Sequence, residues 1–212
     1  MKNFLKLLIL VFLLFPFTSV YSLTIDELFK ELDTPQWRDK IVDPAFVGKF
    51  KNPDMLSTVV KLADARGYDW RYRIRAIRLL GSIGSPQAEE ALLGMFQDPF
   101  FHNECPSLKS YVADALGDFK PSMRLLEILK EGLNDPETLV REATARSLGR
   151  IKMAEAVKYL KEAFLSEKTL AVRIAIINAL KSIGTPEAKN FIKEIASDGN
   201  HKELIDVFGS SL

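Results

Sequence analysis

The sequence predicts an all-α fold, a right-handed α-solenoid of stacked antiparallel helix pairs. Three observations predict it. A basic residue recurs at Arg73, Lys109, Arg141 and Arg173, and a leucine at Leu80, Leu116, Leu148 and Leu180, so the spacings are 36, 32 and 32 residues. A period in that range marks repetition of one supersecondary unit. Within each unit the apolar residues fall at steps of three and four, the helical period, and no stretch alternates like a strand. The punctuation also repeats: Gly84 and Gly184 stand where a helix ends, and Ser85-Pro86 and Thr185-Pro186 where the next begins. Glycine accepts the left-handed position after a helix, Ser or Thr caps the first amides, and proline fits the first turn.

Met1 to Ser22 stands apart from the repeats. Lys2 and Lys6 form a short positive region, Leu7 to Phe15 is an unbroken apolar run, Pro16 and Thr18 break it, and Val20-Tyr21-Ser22 puts a small residue before a cleavage point. That order is a secretory signal peptide, and the run is shorter than an ordinary spanning helix. The expectation is export, with a bacterial periplasm as the compartment and a mature chain starting near Leu23. The rival is an uncleaved N-terminal anchor, the one route by which the chain would meet a membrane.

Residues 23–212 are read as a single repeat domain. Residues 23–68 form a degenerate unit that caps the stack. Thr24-Ile25-Asp26-Glu27 has the spacing of a capping box. Pro35 to Val42 makes a short helix with Trp37 and Ile41 inward, and Pro53 to Ala65 a longer one carrying Met55, Val59, Val60 and Leu62. Four repeats follow, at about 69–98, 107–134, 135–168 and 169–199. Their second helices carry the stripes Ala88, Ala91, Leu92, Met95, Phe96; then Leu125, Leu126, Ile128, Leu129, Leu133; then Val157, Leu160, Phe164, Leu165; then Ala188, Phe191, Ile192, Ile195. Residues 200–212, with Glu203 to Phe208 at their centre, cover the far end. No unit buries its stripe alone, so stacking supplies the core. Ala76, Ala113, Ala145, Ala175 and Ala179 let neighbouring helices approach closely.

Composition narrows the function. Lys and Arg total 29 and Asp and Glu 28, and loss of Lys2 and Lys6 with the leader leaves 27 against 28. Mixed charge near neutrality steers little and argues against nucleic acid, whose binders carry a basic footprint. The lone cysteine, Cys105, excludes an intramolecular disulfide and a cysteine-cluster metal site, and two histidines exclude a three-histidine site. Gly81, Gly84, Gly117 and Gly149 follow no strand, and the G-x-x-x-x-G-K signature is absent, so they are helix-end or packing glycines. No catalytic residue, metal or cofactor is assigned.

Val140-Arg141 with Ala143, Ser147-Leu148-Gly149 and Ile151, Arg73 through Gly84 with Pro86 and Ala88, and Val172-Arg173 through Gly184-Thr185-Pro186-Glu187-Ala188 together resemble the HEAT-repeat family, in the short HEAT-like units also seen in phycocyanobilin lyases. The resemblance covers about 70–200. It implies a structural pair, an acid six residues before the arginine that ties the turn between units to the next helix: Asp135 with Arg141, and Glu167 with Arg173. Gly67 and Asn103 occupy the acid's place before Arg73 and Lys109. The structural repeat residues are therefore Arg73, Lys109, Asp135, Arg141, Glu167 and Arg173. Lyase chemistry is not implied, because the shared part is the scaffold.

Pro99-Phe100-Phe101-His102-Asn103-Glu104-Cys105-Pro106 is the insertion that stretches the first spacing to 36. Insertions in repeat arrays map to loops on one face, often the binding face. Phe100, Phe101 and His102 are the candidate partner-binding residues, with one Phe expected to recognise and the other to pack. A plain seal between the first two repeats, or a thiol or metal site on His102 and Cys105, are the other readings of this segment. The functional expectation is an exported, non-enzymatic scaffold that binds another protein. The alternatives are a lyase-like enzyme or enzyme-maturation subunit using Cys105 and His102, and a structural envelope-associated protein.

Overall fold

The computed structural model describes residues 23–99, 101, 106–198 and 201–208. The expected signal peptide lies outside the described residues. No strand occurs among those described.

The N-terminal cap contains four helices. The first, α1 (Ile25–Leu32), opens on the expected capping box: the Glu27 amide donates to Thr24 Oγ1 at 3.2 Å, and the Thr24 amide donates to the Glu27 carboxylate at 2.8 Å. Next, α2 (Trp37–Lys40) turns Trp37 and Ile41 into the core. A helix absent from the sequence reading follows, α3 (Pro44–Lys49), which buries Phe46 and Val47. Asp43 starts it by accepting from the Ala45 and Phe46 amides, with Pro44 in the first turn. The last, α4 (Pro53–Asp64), is capped by Asn52 and buries Leu56, Val59 and Leu62.

Four helix pairs follow: α5 (Trp70–Ile83) with α6 (Pro86–Gln97), α7 (Pro106–Leu116) with α8 (Met123–Leu129), α9 (Thr138–Ile151) with α10 (Ala156–Ser166), and α11 (Leu170–Ile183) with α12 (Pro186–Ser197). A 3-10 turn, Lys130–Asn134, continues α8. Finally α13 (Lys202–Phe208) closes the end, with Leu204 fully buried. The first helices of the pairs pack on one another in one row, α5 on α7, α7 on α9, α9 on α11, and α4 extends that row against α5. The second helices form the other row. The chain is thus an α-solenoid whose core runs unbroken between the rows. One expected core residue differs: Leu165, in the last turn of α10, is 74% exposed and falls beyond the stripe that Leu160 and Phe164 define.

Small residues set the step along the first-helix row. Gly81, Gly117 and Gly149 each follow the recurring leucine. A Cβ on Gly149 would stand 2.7 Å from Ala179 Cα, one on Gly117 2.7 Å from Ser147 Oγ, and one on Gly81 3.2 Å from Ala115 Cβ. The same position in the fourth repeat is Lys181, whose Nζ lies 4.3 Å from the Phe208 ring centroid. Alanine normally gains about 1 kcal/mol over glycine inside a helix, yet Gly149→Ala is expected to destabilise, because over-packing costs about 1–3 kcal/mol and its obstacle is backbone. Gly94, exposed in α6 with nothing within 4 Å of its would-be Cβ, is the control. Gly94→Ala should raise the urea midpoint and Gly149→Ala lower it.

Helix ends show one substitution in the repeat grammar. Gly84 and Gly184 close α5 and α11 at φ 62° and 71°, and Lys152 closes α9 at φ 52°. Its amide still reaches Leu148 O at 3.3 Å, as a left-handed cap requires.

Candidate functional site

The recurring cations lie in the first helices, near the loop into the following repeat. Lys109 Nζ donates to Asp135 Oδ2 at 2.7 Å. Arg141 Nε donates to Glu167 Oε2 at 2.7 Å, and its Nη2 to Oε1 at 3.3 Å. Arg173 pairs with Glu203, and its Nη2 lies 2.6 Å from His201 Nδ1. Each of these three cations therefore reaches forward, to an acid that opens the next unit. This corrects the expected pairing. Asp135 bridges back to Lys109 rather than to Arg141, and Glu167 to Arg141 rather than to Arg173. The acids are aimed backward by their own turns: Asp135 Oδ1 accepts from the Glu137 amide at 2.9 Å, and Glu167 Oε1 from the Thr169 amide at 2.8 Å. Arg141 still holds its own turn, but through backbone, donating from Nη1 to the carbonyls of Asp135 (2.9 Å) and Pro136 (3.0 Å). The acid partners thus move by one repeat.

Aromatic rings complete the clamps. Lys109 Nζ sits 5.1 Å from the Phe96 ring centroid, and the Arg173 guanidinium 4.6 Å from that of Phe164. The Arg141 and Glu167 side chains are only 17% and 8% exposed. Burial alone would raise the Glu167 carboxyl, but the Arg141 hydrogen bond and the Thr169 contacts outweigh it and hold the carboxyl at about 2, against an ordinary 4.5. A carboxyl lowered on folding adds stability that is complete above its unfolded value and is lost as pH falls through the folded one. The chain should therefore lose stability between about pH 4.5 and 2. In Glu167→Gln that part of the acid limb should flatten, as followed by urea unfolding against pH.

Arg73 is the most deeply buried of the four. It is 1% exposed, donates from Nε to Ala63 O at 3.1 Å, and stacks at 5.2 Å from the Phe101 ring centroid. Phe101 itself is 2% exposed. As a candidate partner-binding residue it is therefore corrected: its ring is buried over a desolvated guanidinium and has no free surface to offer. Phe100, His102, Glu104 and Cys105 lie outside the described residues.

A recess of about 280 Å³, lined by none of the residues that the repeat pattern marks, lies on the open face of the first-helix row between α5, α7 and α9. Arg78 and Tyr111 stand together on one side of it, with the Arg78 guanidinium 5.3 Å from the ring centroid. Glu142 and Arg146 stand on the other, 2.5 Å apart, and Asp114 lies between. Asp114 also pairs with Arg150 at 3.1 Å. Leu139 forms the rim and is 53% exposed. The signal was helical phase: Leu139, Glu142, Arg146 and Arg150 lie opposite the buried stripe of Val140, Ala143, Ser147 and Ile151.

Comparison with known proteins now places the chain. The family model for HEAT repeats matches residues 100–170 and 126–212, together more than half of the sequence. The chain is a HEAT-repeat protein. A second model, the PBS lyase HEAT-like repeat, matches residues 72–98, which hold most of the first pair, α5 and α6. Among solved structures, the complex of CpcE and CpcF of phycocyanin lyase from Nostoc sp. PCC7120 aligns at a TM-score of 0.51 and 19% identity, over 90% of this chain and 77% of that one. Human deoxyhypusine hydroxylase in complex with glycerol aligns at 0.42 and 17% identity, over 86% of this chain and 82% of that one. At these identities the likeness is one of fold. No curated protein matches the sequence.

The outer face of the second-helix row of this HEAT array is laced across repeats. Glu90 of α6 pairs with Arg124 of α8 at 2.5 Å, Tyr159 of α10 donates to Glu127 of α8 at 3.3 Å, and Lys161 of α10 pairs with Glu187 of α12 at 2.9 Å. The two ion pairs are solvated and contribute little to stability. Among the described residues no cluster of three His, Cys, Asp or Glu could hold a metal, and no helix is long and apolar enough to cross a membrane.

Proposed function

We propose that this HEAT-repeat protein is an exported, non-enzymatic scaffold that binds another protein, with a bacterial periplasm as its compartment. The observation that carries the reading is how its charged residues are used. The recurring cations, where chemistry would be sought first, are committed to clamps between repeats, and the exposed recess holds no nucleophile paired with a base. The order of charge, apolar run and small residue in 1–22 supports export. The solved relative is itself a complex of two proteins, CpcE and CpcF, which supports a protein partner here. Cross-linking in the native envelope, followed by purification of the tagged chain, tests the reading. One stoichiometric protein partner on a chain that begins near Leu23 is the expected result. A chain that begins at Met1 in the cytoplasm, or one that cross-links to nothing, would overturn it.

The match of residues 72–98 to the PBS lyase HEAT-like repeat favours a second reading, a lyase-like enzyme or enzyme-maturation subunit that uses Cys105 and His102. Its test is substitution at the thiol. Cys105→Ser abolishing a measurable group transfer, with folding intact, would establish the enzyme over the scaffold.

A further inference from the structure

Thr58, in α4, is among the polar side chains that the array buries, at 7% exposed. A hydroxyl has one proton to donate, and Thr58 gives it across the cap, from Oγ1 to Leu23 O at 2.8 Å. The carbonyl of Asp54, one turn back on the same helix, is the more distant acceptor at 3.4 Å. The bond therefore joins α4 to the residue at which the mature chain is expected to start. Leu23 is held in other ways too. Its side chain packs against the core. Thr24 follows at once as the N-cap of α1: its amide donates to the Glu27 carboxylate at 2.8 Å, its hydroxyl accepts from the Glu27 amide at 3.2 Å, and its carbonyl accepts from the Leu28 amide at 3.0 Å. The folded chain thus begins directly after the bond between Ser22 and Leu23.

We infer that the folded chain shields its own processing site, so that the leader is removed before α1 docks on α4 and not after. The inference rests on the export reading and adds the order of events. The chemistry is hydrolysis: water adds across the peptide bond between Ser22 and Leu23, leaving a carboxyl on Ser22 and an amine on Leu23. A peptidase acts on backbone that burial and hydrogen bonding leave free. Cleavage of a folded substrate accordingly passes through a locally opened state, and its rate follows the population of that state when opening and closing are fast. Opening here has to release the Leu23 carbonyl from Thr58, lift the Leu23 side chain off the core and undo both halves of the capping box. Each contact is modest alone, but they fall on two successive residues and are given up together. Chain ends ordinarily fray at little cost; these contacts make this end an exception. A chain that folds first keeps residues 1–22, and one that meets the peptidase first loses them.

Digestion of the refolded full-length chain by a purified bacterial leader peptidase, in mild detergent, tests this. The comparison is a spacer variant with Leu-Gly-Ser-Gly-Ser-Gly inserted between Ser22 and Leu23. The spacer keeps Ser and Leu on the two sides of the cleaved bond and moves that bond away from the fold. Wild type should be cut about tenfold more slowly than the spacer variant, the scale set by the rarity of the opened state. Thr58→Val keeps the size of the side chain and removes its donor, and should be cut faster than wild type. All three chains are first brought to the same helical circular-dichroism signal, so the rates compare folded substrates. Equal rates for wild type and the spacer variant, or no acceleration in Thr58→Val, would overturn the inference and leave the export reading in place. A spacer variant that is not cut at all would overturn the export reading itself, and the inference with it.

Discussion

Arg141→Ala should lower the stability of the chain by about 3–5 kcal/mol, the usual result of breaking a buried ion pair from one side. The magnitude follows from what is left behind. The Glu167 side chain is 8% exposed, and without Arg141 its carboxylate keeps the Lys168 amide and the Thr169 amide and hydroxyl. The carbonyls of Asp135 and Pro136 lose their donor in the same step. A single-domain stability is about 5–15 kcal/mol, so one substitution removes a large share. Arg141→Lys should recover part of the loss, since a point charge can meet Glu167 but cannot also hold two carbonyls with a fork. Urea midpoints for the three proteins decide the matter. A wild-type midpoint for Arg141→Ala, with partner capture lost, would make Arg141 a contact residue instead of a clamp.

Phe101→Ala should cost a similar amount, about 3–5 kcal/mol, the range for deleting a buried aromatic side chain. Phe101 is 2% exposed and covers the guanidinium of Arg73, itself 1% exposed. Truncation thus opens a cavity beside a desolvated charge as well as removing apolar contact. Phe100→Ala should behave differently. Recognition is expected of one Phe and packing of the other; with Phe101 buried, the recognition expectation passes to Phe100, whose loss should weaken partner capture at near-wild-type stability. A loss of about 3–5 kcal/mol at both positions would show that the pair only seals the joint between the first two repeats.

Much of the fold was legible because its signals are local. A glycine at a left-handed position, a Ser or Thr before a proline, and a stripe at steps of three and four are each contained in a few residues, and the helix pairs follow from them. Two elements escaped for physical reasons. With six residues, α3 is too short to display a period, and only Asp43-Pro44 marked its start. Leu165 lies at a helix end, where the stripe has already turned away from the core. The clamp partners were illegible for another reason. A loop acid stands between two cations, one six residues ahead and one 26 behind, and composition does not choose between them. The choice is made by turn geometry: the amides of Glu137 and Thr169 hold the carboxylates facing back. The recess was hidden among charges that read as an ordinary solvated face.

The turns at Asp135 and Glu167 are each held by a cation of the preceding repeat, and a double-mutant cycle on Glu167 tests that most directly. Urea unfolding of the single and paired alanine variants yields the coupling of Glu167 with Arg141 and with Arg173. Coupling of about 1–3 kcal/mol with Arg141 and close to zero with Arg173 is the predicted result, residues in direct contact being those that depart from additivity. Coupling to Arg173 with none to Arg141 would return the acid to the helix that follows it, and the repeats would then not be joined by forward-reaching cations.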